Sequence, residues 1–454
     1  MRLELEVAVA RGIGRMSRLA RTGGGTTLPG KLLATLDRGA VDALAARLPQ
    51  GSVLVSATNG KTTTCALAAS ILAPHLRLAR NAAGANLVSG VASTLVAARD
   101  AELGLFEVDE AALPEVAARV RPRVVSLGNL FRDQLDRYGE LELVAERWRR
   151  MIPALPEQAV LAVNADDPLV GDLARQHPRS VAFGVDDPAQ ARPDLQHAAD
   201  SKYCLRCGTP YDYAAAYVGH LGDYRCPSCG HARPALDVAA RRVELNGTEG
   251  SAFDLVTPEG ERRVELALPG LYNVYNALAA ATVARAVGIG VDAVATGLGR
   301  AAPAFGRFER IAVGDRTLLL LLIKNPAGAN EALRTVTSAG GPKLALVALN
   351  DAIADGRDVS WIWDVDFEVL GSGLEHLIAS GERAAELALR FKYGGLPASA
   401  IDVVPDLEQA LDRGLALTEP GGELVCLPTY TAMLALQAIV TRRGHARPYW
   451  ERAA

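Results

Sequence analysis

The sequence predicts an α/β protein made of two parallel-sheet units with a small metal-binding insertion. Strand-like and helix-like segments alternate almost throughout the 454 residues, which is typical of α/β architecture. A group of four closely spaced cysteines interrupts this alternation, and the pattern restarts near Ile311. The composition, with 49% hydrophobic and 22% charged residues, is that of an ordinary globular protein with more than one domain.

The first unit begins with short apolar segments separated by Ala-rich, helix-compatible stretches. These predicted strands are residues 52–56, 104–108, 124–127, 160–164 and 180–183. After the cysteine group, apolar and polar residues alternate, which predicts an antiparallel patch, at residues 241–246, 251–256 and 262–268. Pro269-Gly270 then precedes a long Ala-rich helix predicted over residues 274–287.

The second unit repeats the alternation in a smaller form and predicts a doubly wound domain. Its predicted strands are residues 317–323, 344–349, 374–379, 401–404 and 424–427. Its predicted helices are residues 382–389, 407–417 and 432–442. The Pro/Ala segment 301–305 is the predicted hinge, so we expect domains at 1–310 and 311–454.

Charge and hydropathy exclude several classes of protein. The net charge is −4, from 48 basic and 52 acidic residues, so the chain lacks the excess of positive charge that is typical of nucleic-acid-binding proteins. The longest strongly apolar run, 318–323, is far shorter than the roughly 20 residues of a membrane span. Residues 1–21 lack the pattern of a secretory signal, and we expect a helix packed on the first domain there. These features predict a cytoplasmic protein.

The strongest candidate site is Thr58-Asn-Gly-Lys-Thr62, which follows the apolar run 53–55 and precedes a helix predicted over 63–72. A strand, a Gly-Lys-Thr turn and a helix N-terminus form a cradle for nucleotide phosphates. The full Walker pattern requires Gly where Val55 stands, so only a shorter form is present. A chance Gly-Lys-Thr in a surface turn is the alternative. The predicted ATP-binding residues here are Thr58, Asn59, Gly60, Lys61, Thr62 and Thr63.

Four of the six cysteines form two C-x-x-C pairs. They are Cys204, Cys207, Cys226 and Cys229, and a glycine follows the second cysteine of each pair. This spacing predicts a tetrahedral zinc site, and because protein thiolates fill all four positions the zinc is expected to be structural. Redox exchange is the weaker alternative. Cys65 and Cys426 are isolated and are expected to be buried thiols.

Polar residues follow several predicted strands, where a parallel sheet binds its ligands. Glu107-Val-Asp-Glu110 can hold Mg²⁺ beside phosphates, although a helix cap is the alternative. Asn129 to Tyr138 favours a site loop over a solvated helix, whereas Asn164-Ala-Asp-Asp-Pro168 suits a turn, a helix cap or a site equally. Asn276 could hydrogen-bond an adenine edge, and Arg307 in Gly306-Arg-Phe-Glu309 could close onto a γ-phosphate.

Together these motifs resemble the Mur ligase family, ATP-dependent enzymes that activate a carboxylate as an acyl phosphate. The loop 129–138, the four-Cys insertion, Lys324-Asn-Pro-Ala-Gly328 and the run 354–364 narrow the resemblance to the synthetase subunits of lipid II isoglutaminyl synthases. It implies a Mur ligase central domain with a zinc ribbon at about residues 203–233. A C-terminal Rossmann-like α/β domain would follow.

The resemblance also implies a reaction in peptidoglycan precursor synthesis. ATP would phosphorylate the α-carboxylate of D-glutamate in the lipid II stem peptide, and ammonia would displace phosphate to give D-isoglutamine. By this resemblance Lys61 would hold phosphates, Thr62 and Glu107 would bind Mg²⁺, Asn276 would face adenine and Arg307 the γ-phosphate. The chain would act at the inner face of the plasma membrane.

Ammonia requires a source, and no glutaminase signature surrounds Cys65 or Cys426. The resemblance implies a GatD-like glutamine amidotransferase subunit, in a heterodimer or larger complex. Asp358 would complete the catalytic triad of that partner by orienting its histidine. Asp355 and Asp364 are rivals for this role, and an Asx-turn in a loop is the structural alternative.

The sequence departs from the family pattern at Ala57, where glycine is usual, and at Ala83, where an acidic residue often stands. Only some 50 residues precede the phosphate loop, so we do not expect the usual domain that binds a UDP-sugar. Two other functions stay open. One is a Mur-type or folylpolyglutamate-type ligase that adds an amino acid to a carboxylate, and the other is a non-catalytic ATP-binding scaffold.

Overall fold

The computed structural model describes residues 2–19, 27–37, 39–81, 85–133, 140–196, 199–301, 307–338, 340–371 and 373–447. The strands are β1 (Ser52–Ser56), β2 (Leu78–Arg80), β3 (Leu103–Glu107), β4 (Val124–Leu127), β5 (Val160–Asn164), β6 (Ser180–Val185), β7 (Asp212–Val218), β8 (Leu221–Arg225), β9 (Val238–Leu245), β10 (Ser251–Thr257), β11 (Gly260–Leu266), β12 (Arg307–Val313), β13 (Arg316–Leu321), β14 (Leu344–Ala348), β15 (His376–Ser380), β16 (Ile401–Val403) and β17 (Glu423–Pro428).

The α-helices lie between these strands in the order that the alternation predicts. They are α1 (Arg2–Leu19), α2 (Leu28–Leu36), α3 (Ala40–Ala45), α4 (Lys61–Leu72), α5 (Val88–Ala97), α6 (Leu113–Val120), α7 (Leu141–Met151), α8 (Pro168–Leu173), α9 (Leu271–Val287), α10 (Val291–Gly299), α11 (Pro326–Thr337), α12 (Ala384–Tyr393), α13 (Leu407–Leu417) and α14 (Tyr430–Arg442).

The larger sheet has nine strands in the order β11-β10-β9-β6-β5-β4-β1-β3-β2. From β2 through β9 the neighbouring strands are parallel, whereas β9, β10 and β11 form the predicted antiparallel patch. Every residue of β1, β3, β4 and β5 is buried, because helices cover both faces of the sheet. Two hydrophobic clusters fill those faces, one around α4 and α9 and the other around α5, α6 and α7.

The smaller sheet has six strands in the order β12-β13-β17-β14-β15-β16. Strands β12 and β13 are antiparallel, and the remaining neighbours are parallel, which confirms the second α/β unit. Strand β12 begins at Arg307, four residues before the predicted restart at Ile311. The predicted hinge at 301–305 lies almost entirely outside the described residues.

The four-cysteine segment is inserted between β6 and β9 and contains a separate antiparallel hairpin, β7–β8. The cysteine pairs flank this hairpin in the sequence. Helix α1 buries Val7 and Ala10, and Arg11 Nε donates to Val96 O at 2.5 Å, so this helix packs on the first unit as expected. Within the described ranges, none of the helices is long and apolar enough to traverse a bilayer.

Candidate active site

The candidate site lies at the carboxyl ends of three adjacent parallel strands. Strand β1 pairs with β3 on one side and with β4 on the other. The segments that follow these strands carry the phosphate loop, the Glu107–Glu110 acids and Asn129. The sheet therefore brings together motifs that are about 70 residues apart in the sequence, at the edge where parallel sheets bind ligands.

Gly60 gives the phosphate loop its shape. It is the N-cap of α4 in a left-handed conformation with φ +90°, and it provides no side chain to cap the helix. The N–H groups of the first helical turn are therefore available to an anion. The helix begins at Lys61, so Lys61 and Thr62 lie in its first turn, two residues earlier than predicted.

Asn129 holds the phosphate loop from the neighbouring strand. Its Oδ1 accepts from Asn59 N–H at 2.9 Å and its Nδ2 donates to Asn59 O at 3.0 Å. Thr58 N–H donates to Asn129 O at 2.8 Å, and Phe131 N–H donates to Thr58 Oγ1 at 3.1 Å. Residues 129–133 thus form a site loop and not a helix, while 134–138 of this motif lie outside the described residues.

Lys61 is buried and held by acidic residues. Its Nζ donates to Glu110 Oε2 at 2.8 Å, to Ala57 O and, more weakly, to Thr58 O at 3.4 Å. Burial by itself lowers the pKa of Lys61, but the charge of Glu110, with those of nearby acids, outweighs burial and raises the pKa. Lys61 is therefore a fixed positive charge at the mouth of the phosphate loop.

Glu107 and Thr62 have the chemistry that a magnesium site requires. The Glu107 carboxylate is 7% exposed at the end of β3, and it accepts no hydrogen bond from the described part of the chain. Thr62 is half-buried in the first turn of α4. A free carboxylate and a hydroxyl beside a phosphate loop are hard oxygen donors that fit Mg²⁺.

A cleft opens between the phosphate loop and the smaller sheet. Asn273 and Asn276 line it from α9, and Tyr272 and Phe308 form a stacked pair in its wall at 6.4 Å. Asn276 Nδ2 donates to Asn273 Oδ1 at 3.0 Å, so the two amides form one polar edge in a mainly apolar cleft. The cleft suits a flat heterocycle with hydrogen-bonding edges.

The position of Arg307 is described only for its backbone. Arg307 is the first residue of β12, next to Phe308, which lines the cleft. Its side chain and Gly306 lie outside the described residues, so a role toward the γ-phosphate stays a prediction.

Two residues of the segment that follows β13 reach the phosphate loop without having been predicted to act there. Lys324 Nζ donates to Thr58 O at 3.1 Å and forms an ion pair with Asp133. Asn325 and Asn59 exchange two amide hydrogen bonds, at 3.0 and 3.1 Å. The available signal was a Lys-Asn-Pro run after an apolar strand, but its partners in the phosphate loop are 266 residues away in the sequence.

The departure at Ala57 has a local explanation. A Cβ on Gly128 would lie 2.8 Å from the Ala57 Cβ, so the missing side chain at Gly128 makes room for the Ala57 methyl. The loop therefore keeps its backbone donors despite the extra methyl. Ala83 lies outside the described residues.

Asn164-Ala-Asp-Asp-Pro168 serves largely to build structure. Asp167 caps α8 by accepting from the N–H groups of Leu169 and Val170. Asp166 is fully buried and accepts from Tyr275 Oη at 2.5 Å and from Arg233 Nη1 at 3.1 Å. Burial raises the pKa of Asp166 to about 6, against the opposing charge of Arg233.

The four cysteines converge as a metal site requires. The Sγ atoms of Cys204, Cys207, Cys226 and Cys229 all lie within 4.8 Å of one another. Two of the Sγ–Sγ distances, Cys204–Cys229 and Cys207–Cys226, are 3.5 Å. Four converging thiols on two C-x-x-C turns fit tetrahedral zinc, whose Zn–S bonds are about 2.3 Å long.

The three aspartates of the 354–364 run differ in their environments. Asp355 is buried and accepts from Thr431 N–H at 2.8 Å and from Thr431 Oγ1. Asp364 lies 3.7 Å from Arg132 Nη1. Asp358 is exposed and accepts from Ser360 N–H at 2.8 Å in an Asx-turn. Hydrogen bonds from the Ser360 hydroxyl and N–H lower the pKa of the Asp358 carboxyl. Of the three, Asp358 is the carboxylate that is exposed and makes no ion pair in the described chain.

Comparison with known proteins identifies the family. The Mur ligase middle domain model matches residues 55–225, and the MurT ligase C-terminal model matches residues 322–433. The chain is 34% identical over 439 residues to the MurT subunit of lipid II isoglutaminyl synthase (glutamine-hydrolyzing) from Streptococcus pneumoniae (strain ATCC BAA-255 / R6). That alignment covers 94% of this chain and 95% of the relative. The chain belongs to the MurT family.

Other MurT and Mur ligase proteins agree with this assignment. The MurT subunit of Staphylococcus aureus (strain N315) is 32% identical, over 90% of this chain and 91% of its own. Among solved structures, a pseudomurein peptide ligase type C from Methanothermus fervidus has a TM-score of 0.68 at 22% identity, covering 88% of this chain and 80% of its own. MurF from Thermotoga maritima in complex with ADP has a TM-score of 0.65 at 16% identity, covering 91% and 84%. These structures share the Mur ligase fold with the MurT-family chain.

Proposed function

We propose that this chain is the synthetase subunit of a lipid II isoglutaminyl synthase. It amidates the α-carboxylate of D-glutamate in the lipid II stem peptide, with ammonia from a glutaminase partner. The relationship to MurT subunits along nearly the whole chain carries the proposal. The phosphate loop with its free Glu107 carboxylate supports it, because phosphorylation of a carboxylate needs both parts.

The first half-reaction forms an acyl phosphate. A carboxylate oxygen of D-glutamate attacks the γ-phosphorus, the bond to the bridging oxygen breaks, and ADP leaves with the electron pair. The Lys61 ammonium, which Glu110 holds at the mouth of the loop, offsets charge on the phosphates, while Asn276 holds the adenine edge. The residues proposed to bind ATP are Thr58, Asn59, Gly60, Lys61, Thr62, Thr63, Asn276 and Arg307.

Thr62 and Glu107 are proposed to hold the magnesium ion that accompanies ATP. When bound, Mg²⁺ offsets negative charge on the phosphates. Glu107 supplies the carboxylate for this ion, and Glu110 meanwhile keeps Lys61 protonated and near the loop.

The second half-reaction uses ammonia. Its nitrogen attacks the acyl carbon, the bond from that carbon to the phosphate oxygen breaks, and the nitrogen loses a proton to give the amide. We propose that a GatD-like glutamine amidotransferase subunit releases this ammonia, in a heterodimer or larger complex. The exposed Asp358 carboxylate would complete its triad by accepting from a histidine N–H of the partner.

The remaining proposals concern organisation and place. The chain is divided into a Mur ligase-like central domain, 1–310, and a C-terminal domain, 311–454. A structural Zn²⁺ is held by the four cysteines that converge in the ribbon. Because lipid II is membrane-anchored, the enzyme works in the cytoplasm at the inner face of the plasma membrane.

The test is amidation of lipid II by the purified chain with its amidotransferase partner. With ATP and glutamine, mass spectrometry should detect conversion of a carboxylate to an amide on the stem peptide. Ammonium salt should replace both glutamine and the partner. Lys61→Ala should abolish both reactions, whereas Lys343→Ala, which removes an exposed lysine paired with Glu375, should leave both unchanged.

The same assay separates the other functions. Product that forms with a free amino acid, and not with ammonia, would assign the chain to the amino-acid-adding ligases instead. If the Lys61→Ala variant amidates lipid II as fast as the wild type, the phosphate loop is not part of the catalytic site. That result would favour the non-catalytic ATP-binding scaffold.

A further inference from the structure

The hairpin of the cysteine ribbon forms part of the wall of the nucleotide cleft. Val218 ends β7 and Leu221 begins β8, and these two residues pair across the hairpin. Both are buried, at 3% and 1% exposure, and both line the cleft beside the phosphate loop. The hairpin that the two cysteine pairs flank thus contributes apolar surface to a cleft that none of the four cysteines lines.

The tip of the hairpin contacts a residue that supports the phosphate loop. The His220 ring packs against the Phe131 ring with centroids 4.8 Å apart, and Phe131 N–H donates to Thr58 Oγ1. Gly219 has φ +59°, and a Cβ there would lie 2.8 Å from the Phe131 ring. The backbone of the tip therefore lies directly on the ring that adjoins the loop.

The hairpin also contacts the helix on the other side of the cleft. Tyr217 O accepts from Arg192 Nε at 3.1 Å and from Arg334 Nη1 of α11 at 3.3 Å. Arg192 in turn forms an ion pair with Glu331, a residue of α11 that lines the cleft. The hairpin is thus held between the two walls that a nucleotide would contact.

The cysteines control the base of the same hairpin. Strand β8 runs directly into Cys226, and Tyr224 of β8 is fully buried against Tyr211 at 5.2 Å. The hydrophobic cluster at this end has only a few fully buried members, among them two of the cysteines themselves. The tip of the hairpin is different, because Val218 and Leu221 belong to the main hydrophobic cluster of the first unit. A metal at the four cysteines would therefore act on the base of the hairpin, where the local core is small.

We infer that zinc at the four cysteines and nucleotide in the cleft stabilise each other through the β7–β8 hairpin. This rests on the proposed function, since the nucleotide is ATP or ADP. Zinc fixes the base of the hairpin, and the tip of the same hairpin provides Val218 and Leu221 as a wall for the nucleotide. Coupling between two binding sites is reciprocal, so bound nucleotide must tighten the hold on zinc by the same factor.

The test uses the full-length, zinc-loaded chain and the transfer of zinc to a coloured chelator. With saturating ADP, the chelator concentration that removes half of the zinc from the protein should rise by at least about fivefold. That factor is within the usual range of coupling between two sites. Val218→Ala should remove most of this protection. Val243→Ala deletes the same methyl groups at an equally buried position of the same core, outside the cleft, and should retain it.

Direct measurement of ADP binding to the zinc-loaded chain comes first. If ADP does not bind, the proposed function fails. If ADP binds but zinc transfer is unchanged in the wild-type protein, the coupling is overturned while the proposed function stands. The wild-type comparison decides the point even if Val218→Ala fails to fold, and Leu221→Met then provides a milder change in the same wall.

Discussion

Replacing Gly60 with alanine should affect the protein through one identifiable contact. Gly60 lies at φ +90°, and a Cβ there would be 1.9 Å from Asn276 Oδ1. The three atoms nearest to that Cβ all belong to the Asn276 amide. The added methyl therefore has to displace Asn276, which also lines the nucleotide cleft.

The size of the effect follows from two contributions. An L-residue in the left-handed conformation costs roughly 1–2 kcal/mol. Displacing Asn276 breaks its hydrogen bonds to Asn273 at 3.0 Å and to Thr64 at 3.4 Å, each of them worth about 0.5–1.5 kcal/mol. Gly60→Ala should thus reduce the free energy of unfolding by about 2–5 kcal/mol.

Gly288 provides the matched control. It has φ +103° at the end of α9, and a Cβ there would meet nothing within 4 Å. Gly288→Ala should therefore cost only the backbone contribution, about 1–2 kcal/mol. Urea unfolding of both variants, each with and without Asn276→Ala, measures the steric contribution as a coupling free energy.

The double variant decides between this reasoning and a general effect on the loop. In the Asn276→Ala background, Gly60→Ala should cost no more than Gly288→Ala. If it costs as much as in the wild-type background, the contact with Asn276 is not the cause. Binding of ADP should be lost in Gly60→Ala and retained in Gly288→Ala, because only the first position shapes the phosphate loop.

Three further predictions test other parts of the structure. Asp358→Asn should abolish glutamine-dependent amidation but leave the ammonia-dependent reaction and the free energy of unfolding unchanged. Asp355→Asn should instead lower the free energy of unfolding by about 1.5–3 kcal/mol, because it weakens buried hydrogen bonds to a charged acceptor. The pKa of Asp166 rises from 3.8 to about 6 on folding, so its contribution to stability, about 3 kcal/mol, is fully present below pH 3.8 and is lost as pH rises through 6. Urea unfolding across this pH range should show that slope in the wild type and not in Asp166→Asn. Gly128→Ala should be destabilising, since its Cβ would lie 2.8 Å from that of Ala57, and the Ala57→Gly change should relieve it. A stable Gly128→Ala variant would show that the loop adjusts freely.

Much of the fold was predictable because it depends on local pattern. The fully apolar segments that became β1, β4 and β5 are short runs with turn or helix signals on both sides, and the structure places them within a residue of prediction. Strand β2 was missed because it has only three residues at the edge of its sheet. The order of the strands was not predictable in detail, because it depends on which buried faces pack together.

The candidate site likewise combines features that depend on local sequence with contacts that depend on tertiary packing. Sequence alone determined the phosphate loop, the acids after β3 and the cysteine pairs, because each depends on neighbouring residues that fix a backbone shape or a ligand spacing. Only the tertiary structure decided that Asn276 packs on Gly60, that Lys324 reaches the loop and that the ribbon hairpin lines the cleft. Those contacts join residues that are distant in the chain. They depend on packing between sheets and helices, which no local pattern in the sequence records.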